Sequence, residues 1–402
     1  MIRAFREYLK YIPNQTKESG IYRFYNSVLR AFPPVFSKMT DTQFPDRIVE
    51  SLKPEQAVFA QEVQAVKSSA YGDSTSTFDG EDSDFASSLT SVRSSLYNHV
   101  QEHGRTYHAY KDGKYVLPND EKEQDRLDRQ HQILKQHLDG QLALAPIESI
   151  QLNNVLDVAT GTGLWAVEFA DKYPDTNVIG TDLSPIQPDM VPPNLTFEVD
   201  DAEDEWLFRQ SFDYIHLRAV VTCFANPAAV IRSAYAATTP GGYIEFQDGV
   251  FPLQYGRTPP RDSAFVRLFS LLLESAERAG RPWTIAPRYS GWLREAGFVD
   301  VTEETRRIAI GPWMEDAKSK KLGAWNMDNW VDGIRAAAPR MLDRLGWTGE
   351  DTEALLCLAV DELVQTRIRP MMDMIVVWGR KPVAEDVPEE ARVQDGTEPK
   401  AV

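Results

Sequence analysis

Cysteine, histidine, net positive charge and long apolar runs are all scarce in this chain, and each scarcity excludes something. Among 402 residues there are 2 cysteines and 6 histidines. Cys223 and Cys357 form no C-x-x-C pair and neither lies near clustered histidines. Neither a zinc site nor a disulfide framework is therefore expected, and both read as reduced thiols of an intracellular protein. No run of 18 apolar residues occurs, so no transmembrane helix is expected, and the first residues lack the apolar core of a secretory signal. Lys and Arg number 43 against 60 Asp and Glu, a net charge of −17. That is the reverse of the basic footprint of a bare nucleic-acid binder. No internal repeat is present. What remains is an ordinary globular composition, 42% hydrophobic and 26% charged, in a chain long enough for one large α/β domain with extensions or for two domains.

One stretch organises the rest. The apolar run from Leu152 to Val158, interrupted by Asn153 and Asn154, reads as a buried parallel strand. It stops at Ala159-Thr160-Gly161-Thr162-Gly163, and a helical pattern starts at Leu164. Strand, glycine turn and helix form the opening unit of a nucleotide-binding sheet, with the helix N–H groups turned toward a ligand. Read as Gly161-x-Gly163-x-x-Ala166 with Asp182 about 20 residues on, it also fits a dinucleotide fingerprint. Asp157 argues against that. A carboxylate at the strand's C-terminal end repels a pyrophosphate, whereas S-adenosylmethionine brings an ammonium and a sulfonium, both compatible with it. The bland alternative for Asp157 is a turn cap.

Organisation along the chain follows from composition. Residues 1–38 carry seven basic and two acidic residues, with Ile2, Phe5, Leu9 and Ile12 on one helical face and a second helix stopped by Pro33-Pro34. Residues 1–67 are read as a basic helical extension, either packed on the domain or acting as a surface or targeting arm. Residues 68–90 hold ten Ser/Thr and five acidic residues without Lys or Arg, so 68–91 is expected to be a disordered linker. Residues 383–402 read as an acidic, solvated tail. Between them, 92–382 alternates strand and helix: strands at 152–158, 177–181, 195–199, 212–217 and 243–247, helices at 164–172, 227–237 and 289–296, and closing strands at 298–309 and 371–378. The core is placed at 150–310, with lid segments at 255–290 and 311–368, the latter turn-rich and helical. A helix after Asn119 or Asp120 shows Leu127, Leu134 and Leu138 on its apolar face. Its His131 and His137 are read as structural.

In an open parallel sheet the ligand sits beyond the C-terminal ends of the strands. Asp157, Gly161 and Gly163 follow the first strand. Asp182 ends the second, placed to accept both ribose hydroxyls, with Leu183 against one adenine face. Asp201 and Ala202 follow the third, Asp201 being suited to the adenine amino group and Asp200 equally so by composition.

These blocks together resemble the class I S-adenosylmethionine-dependent methyltransferases, and more narrowly the fungal LaeA-like group typified by a secondary-metabolism regulator. The resemblance rests on Gly104-Arg105-Thr106-Tyr107-His108-Ala109-Tyr110 through Asn119-Asp120-Glu121, the loop Leu156 to Gly163, Thr181 to Pro188, Val191 to Asn194, Asp200 to Glu203, Phe212 to Arg218 and Pro240 to Tyr243. It covers roughly residues 97–380. Ala159 stands where the wider class has its first glycine. The resemblance implies a seven-stranded, mostly parallel, doubly wound Rossmann-like sheet with helical lid insertions and an N-terminal extension. It also implies S-adenosylmethionine as cofactor, held by Asp157, Gly161, Gly163, Asp182 and Asp201.

Methyl transfer is an in-line displacement that needs chiefly positioning and exclusion of water. A base is required only for a hydroxyl or protonated amine. Candidates are His216, Arg218, Glu245, Asp248, Tyr107 and His108. Tyr107, Tyr110, His216, Arg218 and Trp283 are expected around the acceptor, and no metal is expected. The aromatic content of 262–347 favours a small apolar acceptor, methylated on oxygen or nitrogen, in a cytoplasmic enzyme. The alternative is a regulatory protein that keeps the fold and acts, in the nucleus, through protein partners bound by its N-terminal extension. A deep apolar cleft beside the sulfonium site separates the two.

Overall fold

The computed structural model describes residues 99–111 and 113–386. The expectations for the N-terminal extension, the acidic linker and the tail beyond residue 386 lie outside these residues. A short antiparallel hairpin, β1 (His99–Glu102) and β2 (Arg105–His108), precedes helix α1 (Glu121–His137). Asp120 caps α1, its side chain accepting from the Glu123 N–H, and Glu121 and Glu123 favour the positive end of the helix.

The central sheet then builds up as β3 (Asn154–Val158), α2 (Leu164–Lys172), β4 (Asn177–Asp182), β5 (Leu195–Val199), β6 (Phe212–Arg218), α3 (Pro227–Ala237) and β7 (Thr238–Tyr255). Helices α4 (Ala264–Arg278) and α5 (Tyr289–Ala296) follow, then β8 (Val299–Ala309), α6 (Ala317–Asp343), α7 (Gly349–Val364) and β9 (Pro370–Arg380). The strand order is β5-β4-β3-β6-β7-β9-β8, seven strands of which β9 alone runs against its neighbours. The order reverses at β3, so a crevice opens beyond the carboxyl ends of β3 and β6.

Local sequence explains these elements. Val155, Leu156 and Val158 are buried without alternation, as a strand covered on both faces requires. Trp165, Ala166, Phe169 and Ala170 form the buried stripe of α2. β3 starts at Asn154 rather than Leu152, because Asp213 at the start of β6 accepts from the N–H groups of both Asn153 and Asn154, 2.7 and 3.0 Å away. Those two donors are thus spent on a side chain, not a ladder. β7 extends far past the expected 243–247. Its continuation pairs with β9 through Val250 and again at Gln254 and Tyr255, and carries the chain up to the lid.

The lid has its own core. Phe265, Leu268, Phe269 and Leu272 of α4 meet Ile334, Ala337, Ala338 and Met341 of α6 and Leu355, Leu356, Ala359 and Leu363 of α7. Ser263 caps α4 by accepting from the Val266 N–H, and Glu362 of α7 accepts from the Ser263 hydroxyl and the N–H groups of Ala264 and Phe265. The span 311–368, expected to be turn-rich and helical, is chiefly two helices packed on α4. No helix among the described residues is long and apolar enough to cross a membrane.

Candidate functional site

A cleft of about 270 Å³ lies where the strand order reverses, at the small end of ligand-site volumes. Its floor is the end of β3 and the turn that follows. Gly161 and Gly163 both adopt positive φ, +61° and +81°, a conformation costly for any residue with a Cβ. A Cβ on Gly163 would lie 2.3 Å from the Phe197 ring. Gly163 caps α2 without a side chain, so backbone N–H groups are left to face the cleft.

The carboxylates expected from the sequence converge here. Asp157, Asp182, Asp200 and Asp201 all line the cleft, with Leu183, Ala202, Gly161, His216, Arg218, Asp248 and Trp283. Asp182 accepts from the N–H groups of Gly161 and Ser184, each at 2.9 Å. A carboxylate has about four acceptor positions, so capacity remains for ligand hydroxyls. Burial lifts its carboxyl to about 6, partly offset by those N–H groups. Asp157 accepts from the Thr160 hydroxyl at 2.5 Å and holds His216 Nδ1 at 2.7 Å. The His216 ring lies flat on Trp165, centroids 3.7 Å apart, and its Nε2 is buried with no hydrogen-bond partner.

Asp201 is engaged differently from the sequence expectation. Lys111 and Lys114 of the upstream segment both pair with it, Lys111 at 2.8 Å. Burial works to raise its carboxyl, but the two lysines outweigh this and hold it below the usual range. Glu203 next to it pairs with Arg281 at 2.9 Å and accepts from the N–H groups of Ala225 and Asn226. The carboxylate of Asp200 forms no ion pair among the described residues and accepts from the Asp201 N–H at 2.9 Å.

Several expected residues sit elsewhere. Tyr107 is fully buried beneath the Arg340 guanidinium, 4.2 Å from its ring centroid, and neither it nor Tyr110 lines the cleft. His108 binds the Tyr110 carbonyl through Nδ1 at 2.6 Å. The part of this segment that does cover the cleft is Lys114, Tyr115, Leu117, Pro118 and Asn119. Tyr107 of β2 is buried, and the stretch from Lys114 onward lines the opening. Glu245 also lies off the cleft. Its carboxylate accepts from the Leu144 and Ala145 N–H groups and from Gln247, tying the segment before β3 to the sheet.

The cleft continues into the lid, where Phe251, Phe269, Trp283 and Trp330 form a connected aromatic wall. Polar residues project into the same chamber: His131 of α1, read from the sequence as structural, and Arg126, Gln130, Asn326 and Asn329, which sequence reasoning passed over. Arg126 is buried, paired with Glu123 at 2.7 Å and donating to Asn329 at 3.0 Å. A signal existed for His131, which interrupts the Leu127–Leu134–Leu138 face at helical spacing. For α6 the signal was two asparagines on the stripe that continues through Trp330, Ile334 and Ala337.

The donor set suits a cationic nucleoside. The glycine cradle admits close backbone approach, and Asp157 at the end of β3 lines the cleft beside it, where it would repel a pyrophosphate. The acidic lining instead matches an ammonium and a sulfonium. Comparison with known proteins agrees. A family described as "Methyltransferase domain" matches residues 126–303. Methyltransferase pytC of Aspergillus terreus is 37% identical over 303 residues, covering 74% of this chain and 93% of that protein. The secondary metabolism regulator LAE1 of Cochliobolus heterostrophus is 36% identical over 255 residues, 62% of this chain and 83% of the relative. The secondary metabolism regulator laeA of Aspergillus fumigatus is 31% identical over 303 residues, 74% and 80%.

Proposed function

Because the chain belongs to the S-adenosylmethionine-dependent methyltransferases, in their fungal LaeA-like group, we propose that it methylates oxygen or nitrogen on a small, largely apolar secondary-metabolite intermediate. The observation that carries this reading is the aromatic chamber of Phe251, Phe269, Trp283 and Trp330, continuous with the acidic cofactor end of the cleft. An enzyme that must bury an acceptor beside a sulfonium needs such a chamber; a regulator acting through surface contacts does not. Relatives named as regulators keep the second reading in view, and the chamber favours the first.

When bound, the cofactor supplies an electrophilic methyl group. The chain supplies its placement. Asp182 accepts the ribose hydroxyls, and Leu183 and Ala202 pack along the adenine. Asp200 is better placed than Asp201 to receive the adenine amino group, since Asp201 is taken by Lys111 and Lys114. Asp157 receives the ammonium, and His216 is a positioning residue that fixes the carboxylate from behind. The segment through Tyr115 and Pro118 closes over the top, which excludes water from the methyl group. We place the protein in the cytoplasm, in keeping with two unpaired cysteines.

The test is transfer itself. Purified protein incubated with methyl-labelled cofactor and small-molecule extract of a producing fungus should label a low-mass product, detected by mass spectrometry. Label found only in protein, or in nothing, contradicts the small-molecule reading.

A further inference from the structure

Arg218 closes β6 with its guanidinium on the cleft wall. Its Nη2 donates to Nδ1 of His131 at 2.6 Å. To accept there, the ring must carry its proton on Nε2, which faces the Glu168 carboxylate at 3.2 Å. Burial, aided by the Arg218 charge, holds His131 down to about 4, so the ring is neutral at physiological pH. His131 itself is only 3% exposed, so the contact is fixed by packing on α1.

The nearby carboxylates bond other groups rather than Arg218. Asp157 serves His216 and Thr160, and Glu168 serves Lys135 at 2.7 Å. Among the described residues, no carboxylate forms an ion pair with Arg218. Burial lowers the guanidinium to about 10, which still leaves it charged at neutral pH. Asp157 and Glu168 favour the charged form only at a distance, and a partly buried guanidinium with no carboxylate paired directly to it is costly. A guanidinium has five donors in a planar fork suited to a carboxylate, and His131 takes one.

We propose that Arg218, braced by neutral His131, is the receptor in this cleft for a ligand carboxylate or other ionised oxygen. The inference rests on the methyltransferase reading and deepens it. Two ligands bring that chemistry. The cofactor ends in an α-amino acid, and Asp157 and Arg218 stand near the ends of neighbouring strands, opposite charges for its ammonium and carboxylate. An acceptor that is an aromatic acid or ionised phenol would instead lie against Trp283 and Trp330 with its anion on Arg218.

Calorimetry on the full chain separates these. The probes are S-adenosylhomocysteine, 5′-methylthioadenosine, which lacks the amino-acid end, and 2-naphthoate against 2-naphthamide with S-adenosylhomocysteine present. If the cofactor is the source, Arg218→Gln weakens S-adenosylhomocysteine by about tenfold or more and leaves methylthioadenosine unchanged. If the acceptor is the source, both adenosine compounds bind as before and the wild-type preference for naphthoate over naphthamide disappears. Either result supports the assignment. Unchanged affinities for all four probes overturn it. So does uniform loss of all four in both Arg218→Gln and Arg218→Lys, which would make the residue structural. Failure of wild type to bind either adenosine compound counts against the cofactor reading, not against Arg218 alone.

Discussion

Asp157 and His216 occupy facing positions on parallel strands β3 and β6, and their side chains meet at 2.7 Å between Oδ1 and Nδ1. The contact joins the acid expected to receive the cofactor's ammonium to a histidine with 0% exposure. As a positioning residue, His216 acts on binding rather than on the chemical step. His216→Phe should raise the cofactor KM by about tenfold, consistent with losing one hydrogen bond to a charged group, and leave kcat at saturating cofactor within about threefold. Steady-state kinetics checks this. A collapse of kcat at unchanged cofactor affinity would make His216 the base instead.

The cradle at Gly163 gives a stability prediction. Its φ of +81° and the Phe197 ring 2.3 Å from any added Cβ oppose substitution separately. Gly163→Ala should cost about 2–4 kcal/mol, from left-handed strain plus overpacking. Adding Phe197→Leu should recover the overpacking part only. Denaturant unfolding of the single and double variants measures both, and the recovery should appear as a coupling energy.

Asp182 makes cofactor affinity depend on pH. Burial holds its carboxyl up to about 6, and ribose hydroxyls donate well only to the ionised form. Affinity for S-adenosylhomocysteine should therefore rise with pH through about 6, changing by up to about tenfold per pH unit below it. Asp182→Asn should bind more weakly with no such slope. Titration calorimetry from pH 5 to 8 distinguishes the two curves.

Asp248 makes stability depend on pH. It accepts from the Tyr289 hydroxyl at 2.9 Å and from the Val220 N–H, and burial lifts its carboxyl to about 7. An unfolded aspartate titrates near about 3.9, so the folded state binds this proton more tightly. The stabilisation is complete below about pH 4 and is lost as the pH rises to about 7. Asp248→Asn removes that loss. Its melting temperature relative to wild type should increase between pH 5 and 8, and thermal melts across that range test it.

The parts of this molecule set by local chemistry were legible in the sequence. Strand β5 and helices α2, α3 and α5 fall where periodicity and caps place them, because apolar spacing and residues such as Pro227 and Gly297 act within a few positions. The acids on the strand ends were legible for the same reason: a doubly wound sheet puts those positions at the crevice. What escaped depends on distant partners. The start of β3 is decided by Asp213, 59 positions from Asn154. The length of β7 is decided by β9. That Lys114 to Asn119 rather than Tyr107 line the cleft goes with the distant Arg340 guanidinium over the Tyr107 ring. No local pattern announces that His131 meets Arg218, 87 positions away.

The claim on which everything else depends is that this crevice grips a sulfonium nucleoside through Asp157 and Asp182, not a dinucleotide. Calorimetric titration of the full chain with S-adenosylmethionine and, separately, with NAD measures it directly. Saturable binding of the first, none of the second, and a loss of about tenfold or more in Asp182→Ala is the predicted result. Binding of NAD, or an Asp182→Ala variant that holds S-adenosylmethionine as tightly as wild type, would contradict it.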